Sequence, residues 1–178
     1  RSQPYSGFWE YHIDQALFTR PLRTDHGGAG LFNARGELIG IGSLLALETP
    51  AEYERGPGTL FVPVDLLRPI YAELRRHGRS SASQRAWLGV DCVQRPEGVQ
   101  VLRVVPDSPA ALAGAEPGDL IRRIDALPVG DLASFYRRLW RGPVEREVRL
   151  EVLRDGRAVD LPIRSTDRSR ALRHAAGI

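Results

Sequence analysis

Two short stretches of this chain hold residue types that could do chemistry. Asp25-His26 stands before the run Gly27-Gly-Ala-Gly30, an acid beside a base in glycine-rich backbone. An acid, a base and a nucleophile work together only when they converge on one reacting atom. Neighbouring residues in a glycine-rich turn seldom do so, and Asp25 and His26 are expected to be loop residues without catalytic work. Trp87-Leu-Gly-Val90 offers something different. Consecutive N–H groups at Leu88, Gly89 and Val90 can converge on a carboxylate, and Gly89 lacks the side chain that would block its approach. A peptide held there would pair with the strand from Val90 onward as an added strand. Its other wall would be a helix after Asp131, where Leu132, Tyr136 and Leu139 at i, i+4 and i+7 share a face while Phe135 turns more toward the core. The plainer alternative is that these apolar side chains are simply core.

Other catalytic patterns are missing from the sequence. It has no Gly-x-Ser-x-Gly elbow, no His-Glu-x-x-His and no glycine-rich loop followed by Lys, and His12, His26, His77 and His174 are scattered. The single cysteine, Cys92, excludes an internal disulfide framework and a Cys-rich zinc site, and is expected to be a small buried residue. No cofactor or metal is expected. Trp9 and Trp140 are expected to anchor packing, with Trp87 at the mouth of the peptide site.

These stretches need elements to position them. Trp9, Tyr11 and Ile13 alternate with polar residues as in a strand, and Leu31-Phe32, the turn Asn33–Gly36 and Leu38–Ile41 form a hairpin pattern. Asp65 can cap a helix through Leu66, Leu67, Ile70 and Leu74, closed by Gly78. So few strands would leave apolar faces uncovered. The low-complexity run His77–Ala86 is the best linker candidate. Beyond it, Ser108-Pro109 opens a short helix that Gly114 ends, and Glu116-Pro-Gly-Asp119 suits a type II turn. Leu120, Ile121 and Ile124 suit a buried strand, Asp131 caps a second helix, and Val148, Leu150 and Val152 lead through the turn Asp155-Gly156 to a returning strand. The sum is a domain of about five strands and two helices. Arg164–Arg173 is expected to be an extension of low order.

In order, Trp87-Leu-Gly-Val90, Val105-Pro-Asp-Ser-Pro-Ala110, Ala113-Gly114 and Pro117-Gly-Asp-Leu120 resemble a PDZ domain of the kind carried by HtrA/Deg serine proteases. Upstream, Gly28–Ile41 resembles the segment that in those enzymes follows Gly-Asn-Ser-Gly-Gly-Pro-Leu, and Phe61–Asp65 with the helix after it resembles the end of the protease barrel. The resemblance implies a mainly β fold with short helices: a trypsin-like barrel remnant over 1–78, a linker over 79–85, a PDZ domain over 86–164 and an extension over 165–178. It implies Trp87, Leu88, Gly89, Val90, Leu132, Tyr136 and Leu139 as peptide-binding residues, with C-termini of peptides or unfolded proteins as partners. Aligned without a gap, the nucleophilic serine of the family falls on Gly27, so no residue is assigned to catalysis. Base and acid come in that family from an N-terminal barrel, which this chain is expected to lack. The expected function is thus non-catalytic peptide binding; the alternative is an active endopeptidase of protein quality control when the full-length parent is considered. The family implies a periplasmic or other extracytoplasmic location, and self-association through the missing N-terminal region stays open.

Bulk properties agree with a small globular protein. Of 178 residues 42% are hydrophobic, enough to bury a core, and the longest apolar stretch, Leu38–Leu47, is far short of the ~20 residues that cross a bilayer. Met is absent, so Arg1 is not a translation start and a fragment or processed product is expected. Every basic residue is Arg, yet the net charge is only +3 and the arginines are interleaved with acids. That pattern is expected to be a solvated surface without a nucleic-acid partner; polyanion binding through the Arg-rich tail is a weaker alternative.

Overall fold

A computed structural model describes residues 2–46 and 56–173, so that Leu47 and His174 lie outside the described residues. The chain divides into two compact units, Arg1–Tyr5 with Ile13–Ser83, and Ser6–His12 with Gln84–Ile178. Among the described residues no helix is long and apolar enough to cross a membrane.

The first unit holds one sheet in the order β1-β2-β5-β4-β3, with β1 Ser2–Gly7, β2 Tyr11–Thr19, β3 Gly30–Phe32, β4 Leu38–Ala46 and β5 Gly58–Pro63. The hairpin expected at Asn33–Gly36 is present. Asn33 Oδ1 accepts from the N–H groups of Arg35 (2.9 Å) and Glu37 (3.0 Å), and Gly36 takes the left-handed backbone the turn needs. Ile13, Ala16, Ala46, Leu60 and Phe61 are buried, while Phe32, Leu38, Ile41 and Leu45 remain exposed, as so small a sheet dictates.

Two expectations for this unit need correction. The strand read through Trp9, Tyr11 and Ile13 is the far side of a hairpin whose turn is Phe8–Glu10, with Glu10 at φ 53. Aromatic and acidic residues do not advertise a turn as Gly, Pro or Asn do. Asp65 does not cap a helix either: Val64–Leu66 is a 3-10 turn, and α1 Tyr71–His77 begins beyond it. Pro69 carries no N–H and disfavours helical backbone at Arg68, so turn and helix stay separate. Asp65 pairs with Arg68 at 3.3 Å, Leu66 and Leu67 stay exposed, and Gly78 closes α1 with left-handed backbone.

The second unit is a sheet in the order β12-β11-β9-β8-β7, with β10 beside β9 and a separate β13-β6 pair. Its strands are β6 Ala86–Trp87, β7 Val90–Arg95, β8 Gly98–Val104, β9 Leu120–Ile124, β10 Leu127–Pro128, β11 Glu147–Arg154, β12 Arg157–Arg164 and β13 Thr166–Asp167. The local signals hold one by one. Ser108 Oγ accepts from Ala111 N–H at the head of α2 Pro109–Leu112, and Asp131 and Ser134 form a reciprocal capping box at the head of α3 Leu132–Leu139. Asp155 and Gly156 both take left-handed backbone, as a two-residue hairpin turn between right-twisting strands requires. The Glu116–Asp119 turn has a tie the sequence did not announce: fully buried Asp119 accepts twice from Arg154, at 2.7 and 2.8 Å, and also from Glu116 N–H.

The stretch Arg164–Arg173 is not of low order. Thr166 and Asp167 pair with Trp87 and Ala86, and α4 Arg168–Arg173 follows. Ser165 is buried, donating to Val144 O at 2.8 Å and accepting from Arg146 N–H. A charge-rich composition concealed a segment in which Ser165, Asp167, Arg168 and Arg170 each find specific partners.

Candidate functional site

The Leu88–Val90 loop is built by fixing its carbonyls on one side. Leu88 O accepts from Ala110 N–H and Gly89 O from Val105 N–H, both at 2.8 Å. With those bonds made behind the loop, its N–H groups face the edge of β7. Gly89 is at φ 87, and a Cβ there would fall 2.2 Å from Ser108 Cβ. Glycine is therefore required by the loop's own packing as well as by close approach of a ligand.

All three N–H groups converge on one carboxylate, the side chain of Glu10. Glu10 Oε1 accepts from Gly89 at 2.7 Å and from Leu88 and Val90 at 3.1 Å, and Oε2 lies 3.2 Å from Leu88 N. One step along β7, Cys92 N–H donates to Phe8 O at 2.7 Å, a bond of the kind an added strand makes. Tyr136 on α3 closes the other side. Its hydroxyl donates to Gly7 O at 2.8 Å and accepts from Glu10 N–H at 3.3 Å. The Arg168 guanidinium donates to the carbonyls of Glu10 and Trp9, the latter at 3.1 Å. Burial pushes the Glu10 carboxyl up to about 7, against the three N–H donors and Arg168, which pull it down. Burial likewise pushes up the Cys92 thiol and the Tyr136 hydroxyl, and both keep their protons.

The remaining sequence candidates divide. Leu132, Phe135, Tyr136 and Leu139 are all buried in the core, so Tyr136 reaches the loop's ligand by its hydroxyl while its ring packs. Trp140 stacks on that ring at 5.4 Å and donates from Nε1 to Ala86 O. Trp87 lines a separate cavity of about 530 Å³ with Pro109, Leu112, Pro162 and Arg170. Sequence reasoning missed Glu10 and Arg168. Glu10 lies 78 to 80 residues from the loop, beyond the reach of any local spacing rule.

In the first unit Asp25 is exposed and paired with Arg23 at 3.0 Å, while His26 is buried with neither ring nitrogen bonded. The turn after them closes on itself. Ala29 N–H donates to His26 O, Gly28 N–H to Gly42 O, and Gly42 N–H to Ala29 O.

Residues 86–164 match the PDZ domain family. The chain is 29% identical over 156 residues to a probable periplasmic serine endoprotease, DegP-like, of Pseudomonas fluorescens, covering 77% of this chain and 30% of that protein. It is 27% identical over 149 residues to the periplasmic serine endoprotease DegP of Escherichia coli, covering 79% and 31%. Among solved structures, the HtrA-type protease AlgW with decapeptide superposes with a TM-score of 0.53 at 27% identity, over 78% of this chain and 45% of that one. This chain is a PDZ-containing homologue of the HtrA/DegP serine proteases. The HtrA/DegP homologue has a partial trypsin-like barrel followed by a PDZ domain, and it spans about a third of the length of the curated relatives it matches.

Proposed function

We propose that this HtrA/DegP homologue is a non-catalytic peptide binder, in which the PDZ domain reads a carboxylate with the Leu88–Val90 loop and pairs peptide backbone along β7. On this reading the barrel remnant covers 1–78, the linker 79–85 and the extension 165–178. One observation carries the reading: three consecutive N–H groups converge on a carboxylate while the next free N–H of β7, at Cys92, pairs with a carbonyl of the same segment. The decapeptide carried by AlgW supports it. Its ligands are C-termini of peptides or unfolded proteins, in the periplasm where the relatives' names place them.

Absence of catalysis rests on Gly27, the residue aligned with the nucleophile, and on a neighbouring turn whose Gly28 and Ala29 N–H groups are already bonded within the unit. Loss of a serine nucleophile costs on the order of a million-fold in rate. Calorimetry with an apolar free-acid peptide and its amidated twin tests the binding, since bonds to a carboxylate are about twice as strong as neutral ones. Preference for the free acid is expected; equal affinity would leave the loop as structure only. No serine should be labelled by a fluorophosphonate probe, and labelling would overturn the non-catalytic reading.

A further inference from the structure

The carboxylate in the loop belongs to the chain itself. We propose that the Leu88–Val90 loop accepts an internal glutamate side chain presented in a tight turn, and that the segment Ser6–His12 is its resident ligand, which an outside peptide must displace. This rests on the reading of the loop as a peptide site and extends its ligand class beyond free C-termini.

The segment is shaped for the role. Glu10 stands at φ 53, which ends the turn sharply and lets its side chain point back along the chain into the loop. Glu10 is 1% exposed, whereas Phe8 is 49% exposed, so the acid and not the aromatic is the buried anchor. The turn is stiffened from within: Trp9 packs edge-on against Phe8 at 4.4 Å and stacks on Tyr11 at 5.7 Å, and Ser6 Oγ meets His12 Nδ1 at 2.8 Å across its base. A ligand already held in its bound shape loses little freedom on docking. Four contacts read features that a C-terminal peptide and this turn share: the three loop N–H groups on the carboxylate and Cys92 N–H on Phe8 O. Arg168 reads what only a continuing chain has at that point, the carbonyl of Glu10 itself. A tethered ligand acts at an effective concentration on the order of millimolar, so an outside peptide starts at a disadvantage.

The test compares the whole chain with its Glu10→Gly variant, since glycine tolerates the backbone of residue 10. Each is titrated by calorimetry with an apolar free-acid peptide and with a capped heptapeptide of the sequence Ser6–His12, acetylated and amidated so that its one carboxylate is the glutamate. The variant should bind the free-acid peptide at least about tenfold more tightly than the parent, because its resident ligand is gone. It should also bind the capped heptapeptide, and a Glu-to-Ala version of that peptide, which offers the loop no acceptor, should bind far less. Equal affinity of parent and variant for the free-acid peptide would overturn the inference and leave the proposed function standing. Binding of the capped heptapeptide alone would keep the inference and sink the C-terminal reading. Silence from both peptides, with the amide spectrum of β11 and α3 intact, would sink both. Should Glu10→Gly fail to fold, Arg168→Ala, which keeps Glu10 and loosens the carbonyl clamp, must raise free-acid affinity in the same direction.

Discussion

The turn at Gly27–Ala29 and the loop at Leu88–Val90 are made from similar material and arrive at opposite ends. Both are short, glycine-containing and rich in N–H groups that could receive negative charge. In the first, the N–H groups of Gly28 and Ala29 donate to carbonyls of their own unit, Gly42 O and His26 O, the latter three residues back along the chain. In the second, the carbonyls are the groups tied back, to Val105 and Ala110, and the N–H groups are left facing an acceptor. What makes an anion site is therefore the direction in which the backbone's obligatory bonds are made, and glycine content alone does not set it.

Glycine substitutions break this comparison most severely. A Cβ at Gly42 would lie 1.9 Å from His26 O, and one at Gly89 would lie 2.2 Å from Ser108 Cβ with φ at 87, whereas Gly27 has nothing within 4 Å. Gly42→Ala and Gly89→Ala should each destabilise the unit that holds them by roughly 3 kcal/mol or more, the upper range for overpacking. Gly27→Ser should leave thermal unfolding nearly unchanged and restore no hydrolysis. A Gly89→Ala chain that melts with the parent would show that the loop is looser than its contacts indicate. Because of Ser108, a bulky residue at position 89 tests folding before it tests binding.

Much of the second unit was legible because its signals are local. Ser108, Asp131 and Asp155-Gly156 cap or turn the backbone within a few residues of themselves, and the structure finds each doing so. The loop's three N–H groups could be anticipated from Leu88-Gly-Val90 for the same reason. Glu10 could not: its alternation with Trp9 and Tyr11 reads as the polar face of a strand, and only tertiary structure brings it to the loop. Arg168 was lost in a stretch that composition alone marks as a solvated tail. Asp65 failed for a local reason, since the proline four residues on competes with the helix it would have capped.

Acidity sharpens the contrast, because the carboxylates near the two turns are shifted in opposite senses. Asp25 is held below its ordinary range by the Arg23 side chain, and Glu10 is pushed up to about 7 by burial. Docked Glu10 keeps its proton at pH values where a solvated glutamate, near 4.5, has lost it. The docked state thus binds more protons, so docking is tightest below about 4.5, weakens as pH rises toward 7 and is level above that. At its steepest the docking constant should change by about tenfold per pH unit. Of the groups around Glu10, Cys92 and Tyr136 are pushed up by burial and stay neutral. A carbon-13 titration of the Glu10 carboxyl checks this, in a chain whose His12 is replaced by Gln to remove the imidazole at the base of the turn. A midpoint near the ordinary glutamate value would mean that the side chain is solvated and the loop empty.

The smallest effect expected is that of one hydroxyl. Tyr136→Phe keeps the buried ring on Trp140 and Phe135 but removes the donor to Gly7 O and the acceptor for Glu10 N–H. A neutral hydrogen bond contributes about 1 kcal/mol net, so docking of Ser6–His12 should weaken by about fivefold and a competing free-acid peptide should gain by a similar factor. The same substitution could instead act through the groove wall, which the peptide also touches. A double-mutant cycle with Glu10→Gly separates the two, because a hydroxyl that works through the resident segment has nothing left to hold once that segment is released. In the Glu10→Gly background, Tyr136→Phe should leave peptide affinity unchanged. If affinity falls there, the hydroxyl serves incoming peptide directly; if it rises in both backgrounds alike, Tyr136 bears on the groove through packing and Ser6–His12 does not depend on it.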